Sequence, residues 1–152
     1  MAGMPKYFPV SPLIWRDRDF RKLDDHLQKA AFYILTAPHR NLEGLFYLPI
    51  EYAALDTGWT VEVADERLDE LVEQRFILRD READVVLIRN ALKYQAPATR
   101  PQVLGAMKVL ADLPENDLMD AFWDLCREFA PKLFESHTHG IAVAFPPKDE
   151  SA

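Results

Sequence analysis

The sequence predicts a mainly α chain with a small β-hairpin. Three observations lead there. Apolar residues recur at three- and four-residue intervals in several stretches, the signature of helices with one buried face. Two β-rich runs, Phe76–Arg79 and Asp84–Arg89, flank the short polar link Asp80–Ala83. Finally, 152 residues with 49% hydrophobic and 11% aromatic content supply one real core, which excludes an intrinsically disordered chain.

Residues 1–22 carry Pro5, Pro9 and Pro12 among Tyr7, Phe8, Val10, Leu13, Ile14 and Trp15. Prolines remove backbone donors and bias the preceding residue away from helix, so an extended arm packed on the body is expected. The first helix spans about 25–37, with Asp25 and Gln28 as a capping pair and Leu27, Ala30, Ala31, Ile34 and Leu35 on its apolar face. Pro38 stops it, and His39–Gly44 reads as a loop. Leu45–Leu48 is a short strand. Pro49 then opens a two-turn helix, Ile50–Thr57, which Gly58 closes.

Thr60 caps a third helix to about Arg75, with Ala64, Leu68, Leu71 and Val72 inward. The hairpin follows. Helix, strand, helix, helix, strand, strand is the order of a winged helix-turn-helix, whose third helix ordinarily enters the DNA major groove. Pro97 and Pro101 punctuate a linker over 91–100. Two appended carboxy-terminal helices are expected at about 102–112, with Val103, Met107 and Leu110 aligned, and 115–130, with Leu118, Phe122, Leu125, Cys126 and Phe129 aligned. The organisation is thus an arm (1–22), a winged helix-turn-helix domain (23–95), a helical pair (96–134) and a flexible tail (135–152).

One stretch carries a more specific signal. Thr36, Pro38, His39, Arg40, Asn41, Gly44, Leu45 and Phe46 form one phrase, and Leu48, Pro49, Tyr52, Ala53, Ala54, Asp56, Gly58 and Trp59 form the next. Together they resemble the front of phage and prophage replication-initiation proteins, the replisome organisers. Ile88-Arg89-Asn90 with Lys93-Tyr94-Gln95 resembles that family's wing, and Phe8-Pro9 to Trp15-Arg16-Asp17 its entry arm. The similarity covers roughly residues 6–130. It implies a winged-helix domain that binds DNA, expected to be duplex, at a replication origin or recruits replication proteins.

Charge complicates that expectation. Eighteen basic and 25 acidic residues give a net −7, whereas nucleic-acid binders are usually basic. Residues 1–40 and 77–108 are each +3, while 41–76 is −7 and 109–152 is −6. Any anionic ligand must meet the first or third block. The third helix turns Glu62, Asp65, Glu66, Asp69, Glu70 and Glu73 outward against only Arg67 and Arg75, and carboxylates facing phosphates repel.

The candidate DNA contacts are therefore Arg16 and Arg18 in the arm (with Arg21 and Lys22), Arg40 in the loop with His39, and Arg79, Arg81, Arg89 and Lys93 around the hairpin. Arginines on a wing suit phosphates or the narrow minor groove. The bland alternative makes them ion-pair partners of Asp17, Asp19, Asp80, Glu82 and Asp84. Glu62, Asp65, Glu66 and Asp69 are candidates for docking a basic partner surface, or else a solvated face. The tryptophans Trp15, Trp59 and Trp123 read as core or interface anchors rather than base-stacking platforms.

Chemistry finds little support. With five glycines the chain has no phosphate-cradling glycine loop, and it has no nucleophile elbow or H-E-x-x-H pattern. Glu135, His137, His139 and the lone Cys126 do not make a convergent zinc set. No catalytic residue, metal or cofactor is expected. A single cysteine and the absence of a secretion-like start or long apolar run point to the cytoplasm, which the phage resemblance implies is that of a bacterial host. Val103, Met107, Leu110, Leu118, Phe122 and Trp123 form either a homodimer seam or an internal core. Two functions stand: a non-catalytic DNA-binding protein of replication initiation, and a protein–protein adaptor using the acidic helix.

Overall fold

A computed structural model describes residues 8–148, so the expectations for residues 1–7 of the arm and for residues 149–152 of the flexible tail fall outside the described part. Helix α1 covers Arg18–Arg21 and helix α2 Asp25–Thr36. The α2 stripe is the expected one, with Leu27, Ala30, Ala31 and Ile34 buried. Its cap is not: the Asp24 carboxylate accepts the Leu27 amide at 2.9 Å, and the Gln28 side chain donates to the Phe20 carbonyl. Both aspartates have the right chemistry, and the one in extended conformation takes the cap.

The arm departs from expectation. Instead of an extended segment, Pro12–Arg16 forms a 3-10 turn and α1 follows directly. Ser11 and Asp17 cap these turns, and Pro12 stands at a helix start, where its missing N–H leaves no bond unmade. Trp15, Phe20 and Phe32 pack at ring-centroid distances of 5.2–5.8 Å, fastening the arm to α2. An apolar cavity lies beneath it, bounded by Leu13, Ile14, Leu35, Phe76 and Ile88.

Strand β1 (Leu45–Tyr47) leads to helix α3 (Ile50–Thr57) and helix α4 (Val61–Glu73). Gly58 ends α3 with φ of 79°, a left-handed conformation that suits glycine. Thr60 caps α4 as expected, its hydroxyl accepting the Val63 amide. At the other end, Arg75 adopts φ of 61° while Phe76 N–H reaches the Leu71 carbonyl and Arg75 N–H that of Val72. These bonds form a Schellman closure without glycine. Strands β2 (Ile77–Asp80) and β3 (Val85–Ile88) complete an antiparallel sheet in the order β1-β3-β2.

The hairpin turn contains no Asn-Gly or Asp-Gly pair. Its structure comes from Asp80, whose carboxylate accepts the amides of Glu82 and Ala83 at 3.1 Å, and from Asp84 at φ of 55°.

Every residue of β3 is buried, and its side chains alternate between two cores. Val86 and Ile88, with Phe46 and Ile77, join Phe20, α2 and α4 on one face. Val85 and Leu87, with Leu45, join the carboxy-terminal helices on the other. Helix α5 (Ala91–Tyr94) occupies part of the expected linker. Helix α6 (Arg100–Ala111) has the full capping box of Thr99 and Gln102, and helix α7 (Met119–Phe129) buries Phe122 and Cys126. Phe122, Val103, Leu110 and Leu118 thus line an internal core rather than a free seam.

The tail reading is corrected here. Residues 131–139 form helix α8 (Pro131–His139), and α9 (Ile141–Ala144) packs back on it. The expected boundary at 134/135 cuts through α8. Leu133 and Ser136 are buried, the Ser136 hydroxyl bonds the Lys132 carbonyl, and Lys132 donates to the Ala144 carbonyl.

Candidate functional site

The hairpin was expected to present arginines outward, and instead it presents them to α4. Arg79 donates to Asp65 at 2.8 Å and to Asp69 at 3.0 Å, while Arg81 donates to Asp65 at 2.8 Å and to Asp69 at 2.7 Å. Two carboxylates one helical turn apart are thereby bridged by two guanidinium forks from β2 and the turn. The Arg79 side chain is 8% exposed and Arg81 55%. Burial pushes the Asp65 carboxyl up, but the Arg81 and Arg79 hydrogen bonds outweigh it and hold Asp65 below its ordinary range. The same bonds raise the Arg81 guanidinium. The arginines are ion-paired, as the bland alternative had it, but with Asp65 and Asp69 rather than with Asp17, Asp19, Asp80, Glu82 or Asp84.

Asp65 and Asp69, expected to be open for partner docking, are thus engaged within the chain. Glu62 and Glu66 remain exposed and, among the described residues, have no ion-pair partner within 4.0 Å. Asp80, expected as a partner for the arginines, instead accepts the Asp117 amide at 2.8 Å in addition to its turn bonds. Those amides hold its carboxyl below the ordinary range.

Arg40, another expected DNA contact, is buried rather than presented on the surface. It is 7% exposed, donates to the Leu35 carbonyl at 2.6 Å, and lies over the Phe8 ring. Burial lowers its ionisation range, an effect opposed by the charge of buried Glu43, while burial raises that of Glu43. Arg89 is half-buried beside the sheet, its amide bonded to the Phe76 carbonyl. Lys93 is exposed, its ammonium 5.7 Å from the Tyr94 ring.

The amino-terminal cations behave differently. Arg16, Arg18, Arg21 and Lys22 are all exposed and together line one surface depression. Among the described residues, no carboxylate comes within 4.0 Å of them. The five-residue 3-10 turn and the four-residue α1 concentrate them in two successive tight turns.

A second surface group went unread in the sequence. The rings of His39 and Tyr52 lie 4.8 Å apart, and Tyr47 meets Tyr52 edge-on at 6.3 Å. Leu55, one turn beyond Tyr52, is 83% exposed. The signal was available: Ala53 and Ala54 face inward, so Tyr52 and Leu55 must face out.

No family model, curated protein or solved structure matches this chain.

Among the described residues, no group of three or more His, Cys, Asp or Glu side chains converges as a metal site. His137 instead stacks flat on Trp123 at 3.7 Å. Burial, with the charge of Glu43 adding to it, pushes the Cys126 thiol up to about 12, far from a reactive thiolate. No described helix is long and apolar enough to cross a membrane.

Proposed function

We propose that the chain is a winged helix-turn-helix protein of the phage replication-initiation kind, acting in the bacterial cytoplasm by attaching to duplex DNA without chemistry. The order α2-β1-α3-α4-β2-β3 with a β1-β3-β2 sheet supports the fold reading. The observation that carries the DNA reading is the exposed group Arg16, Arg18, Arg21 and Lys22 around one depression. Such a group neutralises phosphates and carries no base readout, so attachment is sequence-tolerant and strongly salt-dependent. Helix α4, with an acidic outer face and its neighbouring arginines already paired, is not the groove reader in this proposal.

The test is a duplex titration at two salt concentrations on random and candidate-origin DNA. Neutralising up to four phosphates gives a log–log salt slope of about −3 to −4. Changing Arg16, Arg18, Arg21 and Lys22 to Ala should flatten that slope towards zero; Arg81→Ala should leave it nearly unchanged. Absence of binding at low salt, or an unaltered slope in the fourfold variant, would overturn the reading.

A second reading, a protein–protein adaptor, is favoured by one observation: Glu62 and Glu66 stay exposed on α4 and have no ion-pair partner among the described residues. In that case replacing both with Lys abolishes capture of a replication factor and leaves DNA binding intact.

A further inference from the structure

The two surface groups left uncovered by the fold have opposite character. One is the aromatic face of His39, Tyr47 and Tyr52, extended by Leu55. Its α3 neighbours Glu51 and Asp56 are exposed, and residues 41–66 contain six acidic residues and no Lys or Arg. Among the described residues, Lys29 of α2 reaches α3, where it is held by the Thr57 carbonyl and the Trp59 ring. The other group is the basic turn, where Leu13 and Trp15 are 68% and 62% exposed beside Arg16, Arg18, Arg21 and Lys22. The four cations line one depression, with the exposed Asp19, Asp24 and Asp25 outside its lining, while Glu51 and Asp56 flank the aromatic face, so the depression and that face are complementary in charge.

The four cations stand near the amino-terminal end of α2 and the aromatic face at its other end, with Trp15 packed against Phe32 of the same helix. The basic turn closes at Lys22, just before the Asp24 cap, whereas His39 follows the last turn at Ala37. A helix of 12 residues separates those ends by about 18 Å. Helix α3 runs back along α2, with Asp56 bonded to Tyr33 and Thr57 to Lys29, which leaves Tyr52 at the His39 end. The four cations of one molecule therefore do not reach its own aromatic face.

We propose that the chain assembles head to tail, the basic, tryptophan-bearing turn of one copy seated on the acidic, aromatic face of the next. The occupant is a second copy because the complementary surface is carried by this chain itself. Arginines over tyrosine rings supply cation–π attraction, Leu55 and Trp15 supply apolar burial, and Glu51 and Asp56 fix the orientation. Because the two faces differ, the contact is heterologous, and each added copy leaves one face of either kind open. The inference does not rest on DNA binding. The same basic turn is the one proposed to meet phosphates, so duplex and neighbouring copy compete for it.

Sedimentation of the full chain in nucleic-acid-free buffer tests this independently of DNA. At low ionic strength the weight-average mass rises with concentration. Near 1 M salt, where the screening length is about 3 Å, it falls to the monomer. Arg18→Glu with Arg21→Glu, and separately Glu51→Lys with Leu55→Lys, each weaken association about tenfold or more; all four sites are exposed, so the fold is spared. An equimolar mixture of the two variants regains association, since each retains the face the other lacks. A wild-type chain monomeric at high concentration and low salt would overturn the proposal. So would either variant self-associating like wild type, as an isologous dimer would.

Discussion

Asp65 shows how one side chain can decide what a surface does. It receives both Arg79 and Arg81, and its carboxyl is held below the ordinary range by those bonds. A carboxyl depressed in the folded state contributes stability that is complete above its unfolded value and is lost as pH falls through the folded one. The expected outcome is an acid limb below about pH 4. Asp65→Asn lowers stability at neutral pH by about 1–2 kcal/mol, the range for a charged hydrogen bond discounted for partial exposure. The gap to wild type narrows as pH falls through that limb, which denaturant melts at several pH values check. A gap independent of pH would locate the role of Asp65 elsewhere. None of this was legible in the sequence. Asp65 and Arg79 are fourteen positions apart, and only the folding of the hairpin over α4 brings them together. The periodicity that exposes Asp65 to view also made it look free.

At the scale of elements, legibility followed the strength of local chemistry. The Thr60 cap, the Gly58 closure and the buried stripes of α2 and α4 were readable because each rests on a few neighbouring residues. The arm and α8 were not. Three prolines suggested an extended chain, yet Pro12 sits at a helix start where proline fits. In α8 only Leu133 and Phe134 among the first six residues are large and apolar, so periodicity gives no signal, and tertiary contact supplies the order. Two substitutions separate these effects. At Gly58 a methyl group meets nothing within 4 Å, so Gly58→Ala costs only the left-handed strain, about 1 kcal/mol. At Gly44, with φ of 75°, a methyl group overlaps that of Ala91, so Gly44→Ala costs several-fold more. Chemical denaturation of both variants checks the order. Leu133→Ala, fully buried, costs about 2–5 kcal/mol if α8 belongs to the core, and almost nothing if it is a loose tail.

For the molecule as a whole, net charge proved a poor guide to the location of cations. The chain is acidic overall, and the Arg79 and Arg81 charges of the hairpin that drew attention are neutralised internally. A cluster of exposed cations with no ion pair among the described residues lies in the two turns before α2, and sequence position alone did not distinguish it. Distinguishing it required knowing which carboxylates were already engaged, a property of the assembled structure.

The alternation along β3 has a consequence for how the chain comes apart. Val86 and Ile88 belong to one core and Val85 and Leu87 to the other, so four successive residues serve as the party wall of two rooms. Neither room can be emptied while the other stays furnished, because withdrawing this strand strips a side from both. Heating should therefore give one calorimetric transition with equal calorimetric and van't Hoff enthalpies, rather than separate losses of the front and rear helices. Amides of β3 should be the last to exchange with solvent, opening only when the entire chain does.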